Sequence, residues 1–142
     1  MRVTGWLDRD DVQREIEKAR CLVFPSLWPE TYGLVVTEAA ALGIPSIVAR
    51  TTAASERIED GVTGWLWQTG DLADLENCLM TTKDNETIRS IGRACYDSYW
   101  KAPPTRTAHM QKLMALYSQI LDSKRAQYPR KKVRQFTSVF DA

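Results

Sequence analysis

The sequence is poor in the residues that most often carry catalysis and metal binding. Its 142 residues include one histidine, His109, and three cysteines, Cys21, Cys78 and Cys95. A single imidazole, far along the chain from every candidate nucleophile, gives no support to Ser-His-Asp or Cys-His catalysis, and we expect it on the surface. The cysteines are odd in number and lack metal-ligand spacing, so we interpret them as reduced thiols.

The sequence also lacks a long hydrophobic run and an N-terminal targeting pattern. No segment approaches about 18 consecutive apolar residues, and the N-terminus shows no charged stretch followed by an apolar one. With 44% hydrophobic and 26% charged residues, the composition is that of a globular protein with one core. These absences favour a cytoplasmic protein that is neither secreted nor membrane-spanning.

Charge is nearly balanced overall, at +1, but it is unevenly distributed. Six of the 19 Lys and Arg residues, but only one of the 18 Asp and Glu residues, fall in residues 124–142. We interpret this segment as a flexible basic tail. Peripheral contact of the tail with anionic lipid at the inner membrane face stays open as an alternative, and we expect no nucleic-acid partner.

Short apolar strands alternate with helical segments along most of the chain, which predicts an α/β fold with a Rossmann-like parallel sheet and flanking helices. The predicted strands are residues 2–4, 22–24, 46–49 and 65–67. The predicted helices are residues 10–20, 33–42, 55–60, 71–81, 85–100 and 107–121. Residues 1–123 are therefore interpreted as one partial domain, and Trp65 and Trp67 as packing residues on one face of a strand.

Two carboxylates, Glu30 and Glu38, lie eight positions apart across the predicted start of a helix. If the helix begins near Gly33, the N–H groups of Gly33, Leu34 and Val35 lack intrahelical acceptors and favour an anion such as a phosphate. Glu38 then lies roughly 7 Å further along the helix, which suits the span from a pyrophosphate to the ribose of one nucleotide. A Glu near a helix start is more often simply solvated, so this spacing alone decides nothing.

The surrounding stretch from Pro25 to Ala49, PSLWPETYGLVVTEAAALGIPSIVA, is much more specific. It closely resembles the retaining glycosyltransferases of the two-domain GT-B fold, especially glycosyltransferase family four and its glycogen-synthase-like relatives. Their pattern runs PS-x-x-E-x-F-G-L-x-x-x-E-A-x-A-x-G-x-P-V-I, and Tyr32 stands where Phe is usual. Weaker similarity on both sides extends the resemblance over most of the chain, as the second half of a C-terminal, donor-binding domain.

The resemblance implies metal-independent transfer of a sugar from a nucleotide-diphosphate sugar, with a UDP-sugar as the first candidate donor and no further cofactor. It implies that Glu30 contacts and positions the donor sugar. By the same resemblance, the N–H groups of Gly33, Leu34 and Val35 bind the diphosphate or the sugar. Glu38 holds the ribose.

The chain departs from the family pattern in two places. Residues 51–55 replace the Gly-Gly pair that precedes the Glu corresponding to Glu56, which puts a donor contact from this loop in doubt. The family's Arg and Lys that neutralise the diphosphate come from upstream of the matching region, as does the N-terminal acceptor-binding domain. We therefore expect the isolated chain to be nearly inactive. The alternative is a non-catalytic or half-enzyme binding module that pairs with a separate chain carrying the acceptor domain.

One further motif is interpreted as structural. Asp8-Arg9-Asp10 matches the Asp-x-Asp that holds a divalent cation in metal-dependent glycosyltransferases of the other major fold. Here Asp10 is predicted as a helix N-cap, with Gln13 completing a capping box. The apolar face of that helix is then formed by Val12, Ile16 and Ala19, and we predict no metal site.

Overall fold

The computed structural model describes residues 2–127. These residues fall into two compact units, one up to Ala102 and one from Pro103 onwards. In chain order, the elements are α1 (Arg9–Glu17), β1 (Leu22–Phe24), α2 (Leu34–Ala41), β2 (Ser46–Ala49), a 3₁₀ helix (Ala53–Arg57), β3 (Gly64–Trp67), α3 (Leu72–Thr81), α4 (Asn85–Lys101) and α5 (Arg106–Gln127). The sheet belongs to the first unit, and α5 belongs to the second.

The sheet has the strand order β1-β2-β3, and both neighbouring pairs are parallel. In the register, Ile47 of the central strand lies between Val23 on β1 and Trp65 on β3. Every residue of β2 is buried, as expected for a strand covered on both faces, whereas Val23 is 36% exposed. The predicted α/β fold with a parallel sheet and flanking helices is confirmed.

Two apolar clusters fill the space on the two faces of the sheet. The first cluster consists of Ile47, Ala49, Trp65, Trp67, Cys78 and Ile91, of which Cys78 belongs to α3 and Ile91 to α4. The second consists of Val36, Val48, Ala54 and Ile58, from α2, β2 and the 3₁₀ segment. Because side chains alternate along a strand, neighbouring residues of β2 enter different clusters. Both Trp rings lie in the same cluster, so the packing interpretation of this pair is confirmed.

The start of α1 differs from the prediction. The N-cap is Asp8 and not Asp10, because the backbone is extended at Asp8 and its carboxylate accepts a hydrogen bond from the Asp11 N–H at 2.8 Å. Gln13 does not complete a capping box but donates to Glu17 at 3.0 Å. Among residues 2–127, no group of His, Cys, Asp and Glu side chains is arranged to hold a metal ion.

Helix α2 presents the predicted face to the core only in part. The helical spacing predicts Leu34, Val35, Ala39 and Leu42 on the inward face. Ala39 is buried as predicted, but Leu34 is 67% exposed and Val36, at 1% exposed, lies in the core instead. The helix begins at Leu34 because Gly33 adopts a left-handed conformation with φ 67°. With a period of 3.6 residues, Val36 and Ala39 then share the inward stripe, and Leu34 lies outside it.

Two chain segments near the ends also differ from the prediction. Residues 2–4 are not a strand, since no other segment among the described residues pairs with them. Helix α5 ends at Gln127 and not near residue 121, so Lys124 and Arg125 of the predicted tail are helical. The rest of that tail, from residue 128, lies outside the described residues. His109 is exposed on α5, as predicted.

The cysteines are free thiols, with Cys21 half-buried and Cys78 and Cys95 buried. Burial raises the pKa of the Cys95 thiol from its ordinary value of 9.0 to about 11. Between these values the folded chain keeps a proton that the unfolded chain loses. The stabilisation associated with this proton is therefore complete below pH 9 and is lost as the pH rises towards 11.

We expect the free energy of unfolding, measured by urea titration, to fall more steeply between pH 9 and about pH 11 in the wild-type chain than in Cys95→Ala. The comparison removes the contribution of lysine and tyrosine titration, which both chains share. Parallel pH profiles would show that Cys95 does not titrate with a raised pKa.

Candidate functional site

A pocket lies at the carboxyl end of β1, where Phe24 leads into the loop before α2. It has a volume of about 280 Å³ and is lined by Phe24, Glu30, Thr31, Tyr32, Gly33, Leu34 and Val35. Ligands of open α/β sheets bind outside the carboxyl ends of the strands. Four of the five predicted site residues, all except Glu38, therefore meet around one cavity in the expected place.

The loop that forms this pocket is shaped by its prolines and by Ser26. Pro25 has no N–H to donate to a sheet ladder, which ends β1 at Phe24. Ser26 Oγ then accepts a hydrogen bond from the Trp28 N–H at 3.3 Å, which turns the chain. Glu30 follows on this loop and is half-buried at the pocket.

Helix α2 begins at the pocket with free N–H groups. Its N-cap residue is Gly33, which has no side chain to accept a hydrogen bond. Within the described part of the chain, the N–H groups of Gly33, Leu34 and Val35 donate no backbone hydrogen bond, and no side chain caps the helix. These groups and the helix dipole make this end of the pocket attractive to an anion.

The 3₁₀ segment packs directly against this helix start. A Cβ atom placed on Gly33 would lie 2.5 Å from the Ala54 Cβ, closer than real Cβ atoms approach one another. Ala54 itself is completely buried. Residues 51–55, which depart from the glycosyltransferase pattern, therefore support the N-terminus of α2, while Glu56 is exposed.

An aromatic–cation contact brings a basic side chain to the pocket. The Arg57 guanidinium carbon lies 3.7 Å from the centroid of the Tyr32 ring, within the range of a cation–π interaction. Sequence reasoning did not find Arg57. No local pattern signals this contact, because the two residues are 25 positions apart and meet only through the packing of the 3₁₀ segment.

Glu38 lies on α2 outside the pocket lining. It is exposed and follows Leu34 by four residues, about 6 Å along the helix axis. Among residues 2–127, neither Glu30 nor Glu38 takes part in an ion pair. Both carboxylates are therefore available to accept hydrogen bonds from a ligand at this end of α2.

A larger groove of about 890 Å³ lies near the amino end of β2, away from the predicted site. Its basic lining residues are Lys18, Arg20, Arg89 and Arg93. Arg20 is already used structurally, because it donates to the carbonyl oxygens of Thr82 and Lys83. None of the predicted site residues lines this groove.

Residues 1–84 match the family described as Glycosyl transferases group 1. The chain belongs to this family. It is 34% identical over 124 residues to the sulfoquinovosyl transferase SQD2 of Arabidopsis thaliana, a match covering 80% of this chain and 24% of that protein. The membership confirms the family predicted from the Pro25–Ala49 motif.

Two solved structures show the same fold. Anabaena Alr3699/HepE, crystallised in complex with UDP and glucose, superimposes with a TM-score of 0.67 at 25% identity, covering 78% of this chain and 30% of that one. The C-terminal domain of the group 1 protein LpcC from Francisella tularensis gives a TM-score of 0.63 at 22% identity, covering 70% of this chain and 51% of that domain. The fold is thus that of a GT-B Rossmann-like domain, and this chain spans 24% of the length of SQD2 and 30% of the Anabaena chain. Among residues 2–127, no helix is both long and apolar enough to cross a membrane.

Proposed function

We propose that this chain binds the nucleotide-diphosphate sugar of a retaining glycosyltransferase and forms the donor-binding portion of an enzyme that transfers the sugar to an acceptor. The pocket after β1 carries the proposal, because the free N–H groups at the start of α2 and the Glu30 carboxylate lie around one cavity. The complex of the Anabaena relative with UDP and glucose supports a UDP-sugar as the donor.

In the proposed reaction, the N–H groups of Gly33, Leu34 and Val35 stabilise the leaving diphosphate. As the bond between the sugar carbon and the phosphate oxygen breaks, the sugar gains oxocarbenium character and negative charge accumulates on the diphosphate. Hydrogen-bond donors that α2 already holds in place need no reorganisation during this step. Following the family resemblance, the proposed transfer uses no metal ion, and cations from outside the pocket lining add to the positive potential of these N–H groups.

The two carboxylates have separate roles in this proposal. Glu30 accepts hydrogen bonds from hydroxyls of the donor sugar and holds the sugar in its reactive orientation, without attacking it as a nucleophile. Glu38, further along α2, accepts from the ribose hydroxyls. A carboxylate is suited to both tasks, since it has no proton to donate and can accept from two vicinal hydroxyls.

Calorimetric titration with a nucleotide-sugar and with the free nucleotide tests these roles separately. We expect Glu30→Ala to weaken binding of UDP-glucose about tenfold without weakening UDP binding, because the sugar alone loses an acceptor. We expect Glu38→Ala to weaken both ligands by about tenfold, because both contain the ribose. GDP- and ADP-sugars are titrated in parallel to identify the base.

Glu76→Ala is the matched control, since Glu76 is an exposed carboxylate on α3 that does not line the pocket. It should bind every ligand as the wild-type chain does. If neither Glu30→Ala nor Glu38→Ala alters the binding of any donor, the proposed site is wrong.

A second candidate is a half-enzyme binding module that pairs with a separate chain carrying an acceptor-binding domain. It is favoured by one observation, that the residues lining the pocket include no Lys or Arg. If a partner chain supplies the missing cations, donor affinity measured by calorimetry should rise when an acceptor-domain chain is added. Equal affinity with and without that chain argues against this candidate.

A further inference from the structure

The pocket lining contains no positively charged side chain that could balance the charge of a diphosphate. Its only ionisable acid or base, apart from the Tyr32 phenol, is the Glu30 carboxylate, which repels a diphosphate. The N–H groups of α2 carry only partial charges, whereas the diphosphate of a nucleotide-sugar carries full negative charges. A donor site here requires a cation close to the pocket.

Among the described residues, Arg57 is a basic side chain that contacts the wall of this pocket. Its guanidinium lies over the ring of Tyr32, and Tyr32 is part of the pocket wall. Arg57 is exposed, and among residues 2–127 no carboxylate forms an ion pair with it. Its N–H groups are therefore not committed to any acidic side chain of the described chain.

The position of Arg57 follows from packing on both sides of it. Ala54 is buried against Gly33 at the start of α2, and Ile58, directly after Arg57, is buried in the same core cluster. These two anchors fix the short segment between them next to the loop that carries Tyr32. Stacking on the ring then limits the directions in which the guanidinium can point.

We propose that Arg57 is a phosphate-binding residue of the donor site, held over Tyr32 so that its guanidinium binds the diphosphate of an incoming nucleotide-sugar. A guanidinium that stacks through its face keeps the N–H groups at its edge free, and these match the geometry of phosphate oxygens. Arg57 thereby adds to the α2 N–H groups the full positive charge that the pocket lining lacks. This assignment rests on the proposed donor-binding function.

A purely structural role for Arg57 predicts something different. If the guanidinium only supports the loop through Tyr32, its loss should weaken the binding of every ligand of the pocket to the same degree, whether or not the ligand carries phosphate. If Arg57 contacts phosphate, its loss should weaken the binding only of ligands that carry phosphate. The difference in affinity between wild type and variant should then shrink as salt screens the charge. Uridine and UDP differ only in the diphosphate that UDP carries.

The test is titration of the full 142-residue chain with UDP and with uridine, at low and high NaCl, for the wild type and Arg57→Gln. We expect Arg57→Gln to weaken UDP about tenfold at low salt and to leave uridine unchanged. Arg57→Lys keeps the charge but not the fork of N–H groups, so its affinity for UDP should lie between those of the wild type and Arg57→Gln. Tyr32→Leu should weaken UDP as well, since it removes the ring that positions the guanidinium.

Arg89→Gln is the control, because Arg89 is also an exposed arginine and lines the other groove rather than this pocket. If the wild-type chain binds none of UDP, ADP and GDP, this proposal fails together with the proposed function. If the wild type binds UDP and Arg57→Gln binds it equally well, this proposal alone is wrong. Equal weakening of UDP and uridine by Arg57→Gln also overturns it, in favour of a structural role.

Discussion

Replacing Ile47 by alanine is expected to lower the free energy of unfolding by about 3 kcal/mol. Ile47 is completely buried at the centre of β2 and packs in the cluster that contains both tryptophans of β3. Removing three of its carbon atoms leaves a cavity that the sheet and the helices around it cannot close. Urea unfolding followed by the fluorescence of the buried tryptophans measures the loss.

Val23→Ala is the matched control for this experiment. Val23 is paired with Ile47 in the register of the sheet, but it is 36% exposed on the neighbouring strand. We expect this substitution to cost less than about 1 kcal/mol, since the side chain is partly in water in the folded state. If Ile47→Ala costs no more than Val23→Ala, β2 is not the covered central strand of the sheet.

The strands could be predicted closely because their signals are local. Residues 22–24 and 46–49 were predicted as short apolar strands and are found with those bounds. In the first case the run ends at a proline, and in the second it begins directly after one. A proline removes a sheet donor wherever it stands, so it limits a strand whatever the tertiary structure is.

The wrong predictions, for the N-cap of α1 and the inward face of α2, concern positions where the local sequence fits two assignments equally well. Asp8 and Asp10 are both favourable N-cap residues, and only the path of the backbone into α1 decides between them. Helix α2 is apolar at six of its eight positions, so its sequence pattern fits more than one inward face. In the structure Val36 is buried and Leu34 faces outward.

Only those residues of the candidate site that lie close together in the sequence could be predicted. Glu30 and the residues from Gly33 to Val35 lie within one short stretch, so a motif could identify them before the fold was known. The contact of Arg57 with Tyr32 depends on how a distant segment packs on the start of α2. Neither spacing nor family resemblance contains that information, because residues 51–55 depart from the family pattern.

Gly33→Ala is expected to abolish measurable binding of nucleotide-sugars and to destabilise the chain. The substitution has two separate free-energy costs, one conformational and one steric. An L-residue at φ 67° costs about 1–2 kcal/mol relative to glycine, and the added Cβ would also overlap the Ala54 methyl at 2.5 Å. Relief of this overlap requires the start of α2 and the 3₁₀ segment to separate, which displaces the N–H groups proposed to bind the diphosphate. Calorimetry with UDP-glucose and urea unfolding measure the two effects.

Two further variants separate the backbone cost from the overlap. Gly70 also has a positive φ, of 87°, but a Cβ there meets nothing within 4 Å, so Gly70→Ala should show the conformational cost alone and bind donors normally. The double variant Gly33→Ala, Ala54→Gly removes the methyl group with which the new Cβ collides. We expect it to recover part of the lost stability and most of the lost binding, although the Ala54 Cα would still lie at a tight 3.3 Å. Double and single variants that bind equally poorly would mean that the contact between Gly33 and Ala54 does not position the donor site.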